Sequence, residues 1–262
     1  MPSLPSVDLL GDIFSRQFSI DLASSDADRE RVFDIRFRVF CEELGFAMQN
    51  RDGLESDAYD SNSLHCVVRH GASQTDVGCV RLVLPEERGG GLPFEKFGLM
   101  HVDRKLLDWR QIDPTKCCEI SRLAVLEEHR KPLKLFDAPR PVEGVTSIAD
   151  RRRSGMRMPP VVLSLYQAMV ALTLHRGFEW TFMVGETRLA RHLSTYNITM
   201  HQISPTFDYF GQRAVFVTTR ADCEATVQSW NADKFNLYQY VHRSITGEMP
   251  PQVREDLISN IA

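Results

Sequence analysis

A chain of 262 residues, 43% hydrophobic and 25% charged, has the length for a substantial core and the balance of an ordinary globular protein. Its net charge of −4 argues against general affinity for nucleic acid or anionic membrane. The most apolar run, PPVVLSLYQAMVALTLHRGF, is interrupted by Ser164, Gln167 and Thr173 and stops at Gly177, which describes a buried helix rather than a membrane span; with no export signal at the start, a cytoplasmic location is expected.

Taken in chain order, residues 6–16 have the spacing of a short amphipathic helix, and QFSIDLA then alternates as a first strand. In SSDADRERVFDIRFRVFCEELGF, Ser25 or Asp26 is the expected N-cap and Gly45 the stop of a helix whose Val32, Ile35, Arg36, Val39 and Phe40 share one side. AMQNRDGLESDAYDSNS reads as a loop. LHCVVRH and VGCVRLVLP form a hairpin around GASQTD, with Arg81 on the face of Cys79 and Val83. CCEISRLAV (117–125) is the next strand, followed by a basic stretch over 130–159, the buried helix over 161–176, the strand EWTFMVGE, the helix TRLARHLSTYNI and the strand RAVFVTT. Residues 221–262 read as a peripheral helical extension. This order predicts one α/β (α+β) domain over 1–262, a mixed central sheet flanked by helices on both faces. The six cysteines lack metal or C-x-x-C spacing and are expected as free buried thiols, the eight histidines share no ligand spacing, so no metal site is expected, and Phe207, Tyr209 and Phe210 read as core.

Charge within the core is the anomaly. Regular alternation puts Glu119, Ser121, Leu123 and Val125 on one face of the 117–125 strand and Ile120, Arg122 and Ala124 on the other, so a strand made for burial carries opposite charges on its two faces. A buried charge requires a partner, and three inward arginines (Arg36, Arg81, Arg122) outnumber Glu119; Asp57 and Asp60 in DAYD are the available carboxylates.

Arg36 with Phe40 four residues on, the Asp57/Asp60 pair, Arg81 on the hairpin and EISR with Glu119 and Arg122 resemble, in order and spacing, the signature of acyl-homoserine-lactone synthases of the LuxI type and the related long-chain N-acyl amino acid synthases. RVFDIRFRVFCEELGF, YDSNSLHCVVRH, RLVLP with LPFE, and ISPTFDYFGQRA further resemble acyltransferases associated with PEP-CTERM/exosortase systems, over about residues 15–220. The resemblance implies a GNAT-type acyltransferase fold, no bound cofactor, the acyl-phosphopantetheine of acyl carrier protein as donor, and an amino acid or other small amine as acceptor. It makes Glu119 the candidate base, with Ser121 and Arg122 beside it, and gives Arg36, Phe40, Phe46, Asp57, Asp60 and Arg81 to the acceptor site. Phe46 stands where the lactone synthases usually carry Trp, which disfavours S-adenosylmethionine as acceptor; no Q-x-x-G-x-G follows RLAVLEEHRK, which disfavours acetyl-CoA as donor. An S-adenosylmethionine-dependent lactone synthase and a non-catalytic acyl- or carrier-binding accessory of an exosortase system are the alternatives.

Amide formation needs a neutral amine, and a positioned carboxylate base contributes on the order of 100- to 10,000-fold. In this fold a backbone N–H at a distortion near Val125 or Leu126 is the expected oxyanion donor, worth roughly 3–4 kcal/mol, and Arg36 or Arg81 is expected to grip a substrate carboxylate. Met169 and Met183 lie on segments expected to line the acyl pocket. The 130–159 stretch holds eight Lys/Arg against three acids, a local +5 that leaves −9 on the rest of the chain; Arg151, Arg152 and Arg153 are the expected docking residues for an acidic carrier protein on this flexible insertion.

Overall fold

The computed structural model describes residues 9–48, 50–130 and 159–250. Helix α1 (Leu10–Gln17) leads into β1 (Phe18–Leu22), and α2 (Asp26–Arg36) continues into a π-helical segment, Phe37–Glu43. Ser25 starts α2 as expected: its hydroxyl accepts from the Asp28 N–H while Asp28 accepts from the Ser25 N–H, a reciprocal cap. The segment expected as a loop contains a small hairpin, β2 (Asn50–Arg51) and β3 (Leu54–Glu55), turned at Asp52 and Gly53, both at positive φ. The Asp-Gly pair is a turn signal in the sequence itself.

The strands β4 (Ser63–His70) and β5 (Thr75–Val83) form the expected hairpin. After α3 (Pro93–Phe97) come β6 (Cys117–Val125), α4 (Pro160–Arg176), β7 (Trp180–Gly185), α5 (Thr187–Ser194), β8 (His201–Gln202), β9 (Phe207–Asp208), β10 (Gln212–Thr219), α6 (Arg220–Ser229) and α7 (Ala232–Thr246). The sheet runs β1-β4-β5-β6-β7-β10-β8, with β9 beside β10; its pairings are antiparallel except β6–β7, which is parallel. The mixed sheet expected from the sequence is present, with α2 and α3 on one face and α1, α4 and α7 on the other. α4 approaches the sheet closely over Gly78, where a Cβ would lie 3.1 Å from Val161.

The C-terminal helices are not peripheral. Leu237, Val241 and Ile245, one face of α7, are buried with α1 and α4 in the main core, because β1 and α4 would otherwise leave that apolar surface in water. Cys117 and Cys118 point to opposite sides of the sheet, into two different cores, and all six cysteines are unpaired. No helix among the described residues is long and apolar enough to cross a membrane.

Candidate active site

The middle of β6 departs from a regular strand, and the site is built on that departure. Arg81 pairs with Ser121 and Cys79 with Ala124, so two steps on β5 are matched by three on β6. The extra residue is a bulge, and Arg122 sits within it at φ 52°. A non-glycine residue in that region costs on the order of 1–2 kcal/mol, and strain of this kind clusters at functional sites. The bulge overturns the regular alternation: Ala124 lies on the α2 side with Cys79, Leu123 and Val125 turn to the α4 side, and Arg122 joins Glu119 and Ser121 on the α2 side instead of opposing them.

On that face the charges balance. The Arg36 guanidinium bonds Glu55 and, in a fork, Asp60 (2.7 and 3.1 Å). Arg81 bonds Asp57 (2.6 and 3.1 Å), Asp60 (2.7 Å) and the Ser121 hydroxyl (3.0 Å). Arg122 bonds Glu55 (3.1 Å) and Asp57 (2.7 Å). Three cations thus meet three anions, and Glu55, missed in the sequence, is the third. The Asp-Gly turn just before it is the one sequence signal of the short hairpin that carries it. Burial opposes ionisation of Asp57 and Asp60, but the guanidiniums hold both carboxyls below the ordinary range and raise Arg36 further above its own. His65, buried beside Asp60, is pushed down to about 4, chiefly by burial.

This accounting corrects one expectation. Arg36 and Arg81 are 0% and 1% exposed, with their donors committed to internal carboxylates, so neither has a fork to offer a substrate carboxylate. Likewise Ser121 is held by the Arg81 Nε–H rather than being free.

Glu119 is the acid outside the balance. It is 2% exposed and accepts a 2.6 Å hydrogen bond from the Phe94 N–H, at the start of α3. Burial pushes its carboxyl up to about 8, against the opposing pull of that N–H and of Arg81 and Arg122. A carboxyl titrating near neutrality is thereby separated from a structural ion network beside it.

A cavity of about 550 Å³ passes Glu119 and crosses the sheet. The parallel ladder of β6 and β7 ends at Glu119 and Phe182, while both strands run on, and Ile120–Leu123 and Met183–Gly185 line the opening between them. On the α2 side the cavity is walled by Phe40, Phe46, Tyr59, Phe97, Tyr209 and Phe210 around Glu119 and Arg122. On the α4 side its wall is apolar, with Tyr166, Met169, Val170, Met183, Leu189 and Leu193. Phe40, Phe46, Met169 and Met183 therefore all border one cavity, and Asp57, Arg81 and Ser121 contribute to its polar end. Tyr209 and Phe210 were expected as core but are cavity wall; Phe207 is core. Tyr209 stacks on Phe97 (5.0 Å), and Phe210 meets Phe46 (6.1 Å).

Of the two expected oxyanion donors, the Leu126 N–H is taken, donating to Val77 (3.0 Å); Val125 lies opposite Gly78 with its side chain toward α4, and the distortion of the strand lies earlier, at Ser121–Leu123. Arg151, Arg152 and Arg153, the expected carrier-docking residues, lie outside the described residues.

Residues 35–135 match the acetyltransferase (GNAT) domain family. No curated protein matches the chain. Among solved structures, the CoA-dependent acyl-homoserine lactone synthase BjaI, with SAM and isopentyl-CoA, is similar over 93% of this chain and 98% of its own, at 14% identity and a TM-score of 0.57. TofI, in a complex with an inhibitor and MTA, is similar over 79% and 96% at 19% identity and 0.52. FeeM, an N-acyl amino acid synthase from uncultured soil microbes, is similar over 80% and 94% at 11% identity and 0.52. Residues 35–135 thus match a GNAT acetyltransferase domain, and the chain shares its fold with acyl-homoserine lactone synthases and an N-acyl amino acid synthase.

Proposed function

We propose that the protein is an N-acyltransferase that forms an amide between a long-chain acyl group, delivered as the phosphopantetheine thioester of acyl carrier protein, and the amine of an amino acid. The observation that carries this reading is the cavity crossing the sheet at Glu119: an apolar pocket on one face, a polar and aromatic chamber on the other, and an opening between β6 and β7 joining them. An acyl thioester fits that division, with its tail against Met169 and Met183 and its carbonyl in the opening. The acceptor then approaches from the chamber.

In the reaction, the neutral amine nitrogen attacks the thioester carbonyl carbon, the C–N bond forms, and the C–S bond breaks. Glu119 takes the proton that the nitrogen must lose, and the thiolate leaves to be protonated. A base near pH 8 suits this task, since it is strong enough to accept from an ammonium-derived nitrogen and still in part unprotonated at neutral pH. In this reading, backbone N–H groups of β6 within Ile120–Leu123, beyond the last pair with β7, donate to the developing oxyanion. The buried network of Arg36, Glu55, Asp57, Asp60, Arg81 and Arg122 supports the chamber and holds the bulge in register.

The choice of carrier protein over coenzyme A rests on the sequence: the phosphate-cradling glycine run is missing after His129, and the basic 130–159 stretch complements an acidic carrier. Purified protein incubated with palmitoyl-acyl carrier protein or palmitoyl-CoA and a mixture of amino acids tests the reading by mass spectrometry. A palmitoyl amide formed faster from the carrier thioester is expected. A lactone formed only with S-adenosylmethionine would replace this reading with the lactone-synthase one.

A further inference from the structure

The commitment of Arg36 and Arg81 to internal carboxylates leaves open what would meet the acceptor's carboxylate. Four cationic side chains border the cavity: Arg81, Arg122, Arg213 and Lys96. Arg81 and Arg122 belong to the buried network. Arg213 is bonded to Glu186 (2.9 Å) and to the carbonyls of Tyr209 (3.3 Å) and Phe210 (3.1 Å), which fixes the turn carrying those two rings. Lys96 differs from all three. Among the described residues its ammonium meets only the face of Phe97, 5.2 Å from the ring centre, and no carboxylate. The neighbouring Glu95 is turned away, accepting from the Leu92 N–H (3.0 Å) to cap α3.

Position adds to availability. α3 also supplies the Phe94 N–H that holds Glu119, so the proton acceptor and Lys96 are referenced to the same short helix. Phe97, under the Lys96 ammonium, stacks on Tyr209, another wall of the chamber. Lys96 is thus an exposed cation bordering the chamber, with a flexible four-carbon stem and its ammonium over the aromatic ring of Phe97.

We infer that Lys96 is the specificity-determining residue that reads the acceptor's carboxylate, so that Glu119 and Lys96 together select an α-amino acid over a simple amine. This rests on the amide-forming reading above. An α-amino acid presents its amine and carboxylate on adjacent carbons, and the pair of groups on α3 and β6 offers one site to each. A charge-assisted contact at a rim where solvent is partly excluded favours the carboxylate-bearing acceptor by about 10- to 100-fold.

The test compares two acceptor mixtures with one acyl donor, palmitoyl-acyl carrier protein: the proteinogenic amino acids, and the primary amines obtained from them by decarboxylation. The readout is the ratio of kcat/KM for an amino acid to that for its amine. Lys96→Met is expected to lower this ratio by about 10- to 100-fold through KM for the amino acid, and Lys96→Arg to restore most of it. A ratio unmoved in Lys96→Met while amide is formed would overturn the role of Lys96 alone, as would an equal fall for both acceptors with a raised KM for the donor. Wild-type protein forming amide with neither mixture would overturn the amide-forming reading, and the inference with it.

Discussion

The Glu119 carboxylate accepts the Phe94 N–H at 2.6 Å yet, among the described residues, has no guanidinium bonded to it, although Arg81 and Arg122 lie on the same face of the sheet. Those arginines are neutralised by Glu55, Asp57 and Asp60, so Glu119 is left to the cost of burial, which places it near 8. For a reaction that needs its unprotonated form, kcat/KM rises with pH through about 8 and then levels. Glu119→Gln, which keeps shape and removes the base, lowers the rate by about 100- to 10,000-fold and abolishes that limb. Pre-steady-state and steady-state rates across pH 6–10 check both.

The same raised carboxyl makes a statement about stability. Between the ordinary value of 4.5 and about 8 the folded protein holds a proton on Glu119 that the unfolded chain has released, so stability contributed by this group is full below about 4.5 and is lost as pH rises toward 8. At about 1.4 kcal/mol per pKa unit, the loss is several kcal/mol. Glu119→Gln is accordingly more stable relative to wild type at pH 9 than at pH 5. Urea denaturation at the two pH values measures the difference.

Charge removed from the network should reach Glu119. Asp57→Asn takes one negative charge from beside Arg81 and Arg122, leaving their positive charge less compensated. The Glu119 carboxylate is then favoured, and the pH–rate limb moves to lower pH. A limb that stays in place, with the variant folded, would show that Asp57 and Glu119 are not coupled.

Breaking the buried part of the network costs stability directly. Arg36 is fully buried against Glu55 and Asp60, and Arg36→Met leaves the three carboxylates of the network to be compensated by two guanidiniums. A loss of about 3–5 kcal/mol is expected at pH 7. Chemical denaturation of variant and wild type under one buffer condition provides the check.

On the α4 side, Met169 is 2% exposed and borders the apolar arm of the cavity. Met169→Trp fills part of that arm and shifts the products to shorter acyl chains. The chain-length profile of amides from a mixed acyl-carrier pool measures the shift.

Much of the site was legible because its residues break local rules. Arg36 on an apolar helix face, Arg81 within a strand and Glu119 within another are charges where burial is expected; the arginines mark the network and Glu119 marks the cavity beside it. Glu55 escaped because its two-residue strand is defined by pairing across the Asp52–Gly53 turn rather than by alternation. The reversal of Arg122 escaped because a bulge is a property of the register between β5 and β6, which neither strand carries alone. Lys96 and the Phe94 N–H were hidden for a similar reason: the short α3 is brought over β6 by tertiary packing of Phe94 on Phe182 (4.1 Å) and Trp109 (5.0 Å). The spacing of Leu237, Val241 and Ile245 was readable as an apolar face, but its cover on α1 and α4 was not.

The central claim is that Glu119 removes a proton from an amine as an acyl thioester is converted to an amide. Untargeted mass spectrometry of lipid extracts from cells expressing the wild-type chain or Glu119→Gln tests it most directly. The prediction is an N-acyl amino acid present with the first and reduced at least about 100-fold with the second. Equal amounts of the same amide from both would contradict Glu119 as the base.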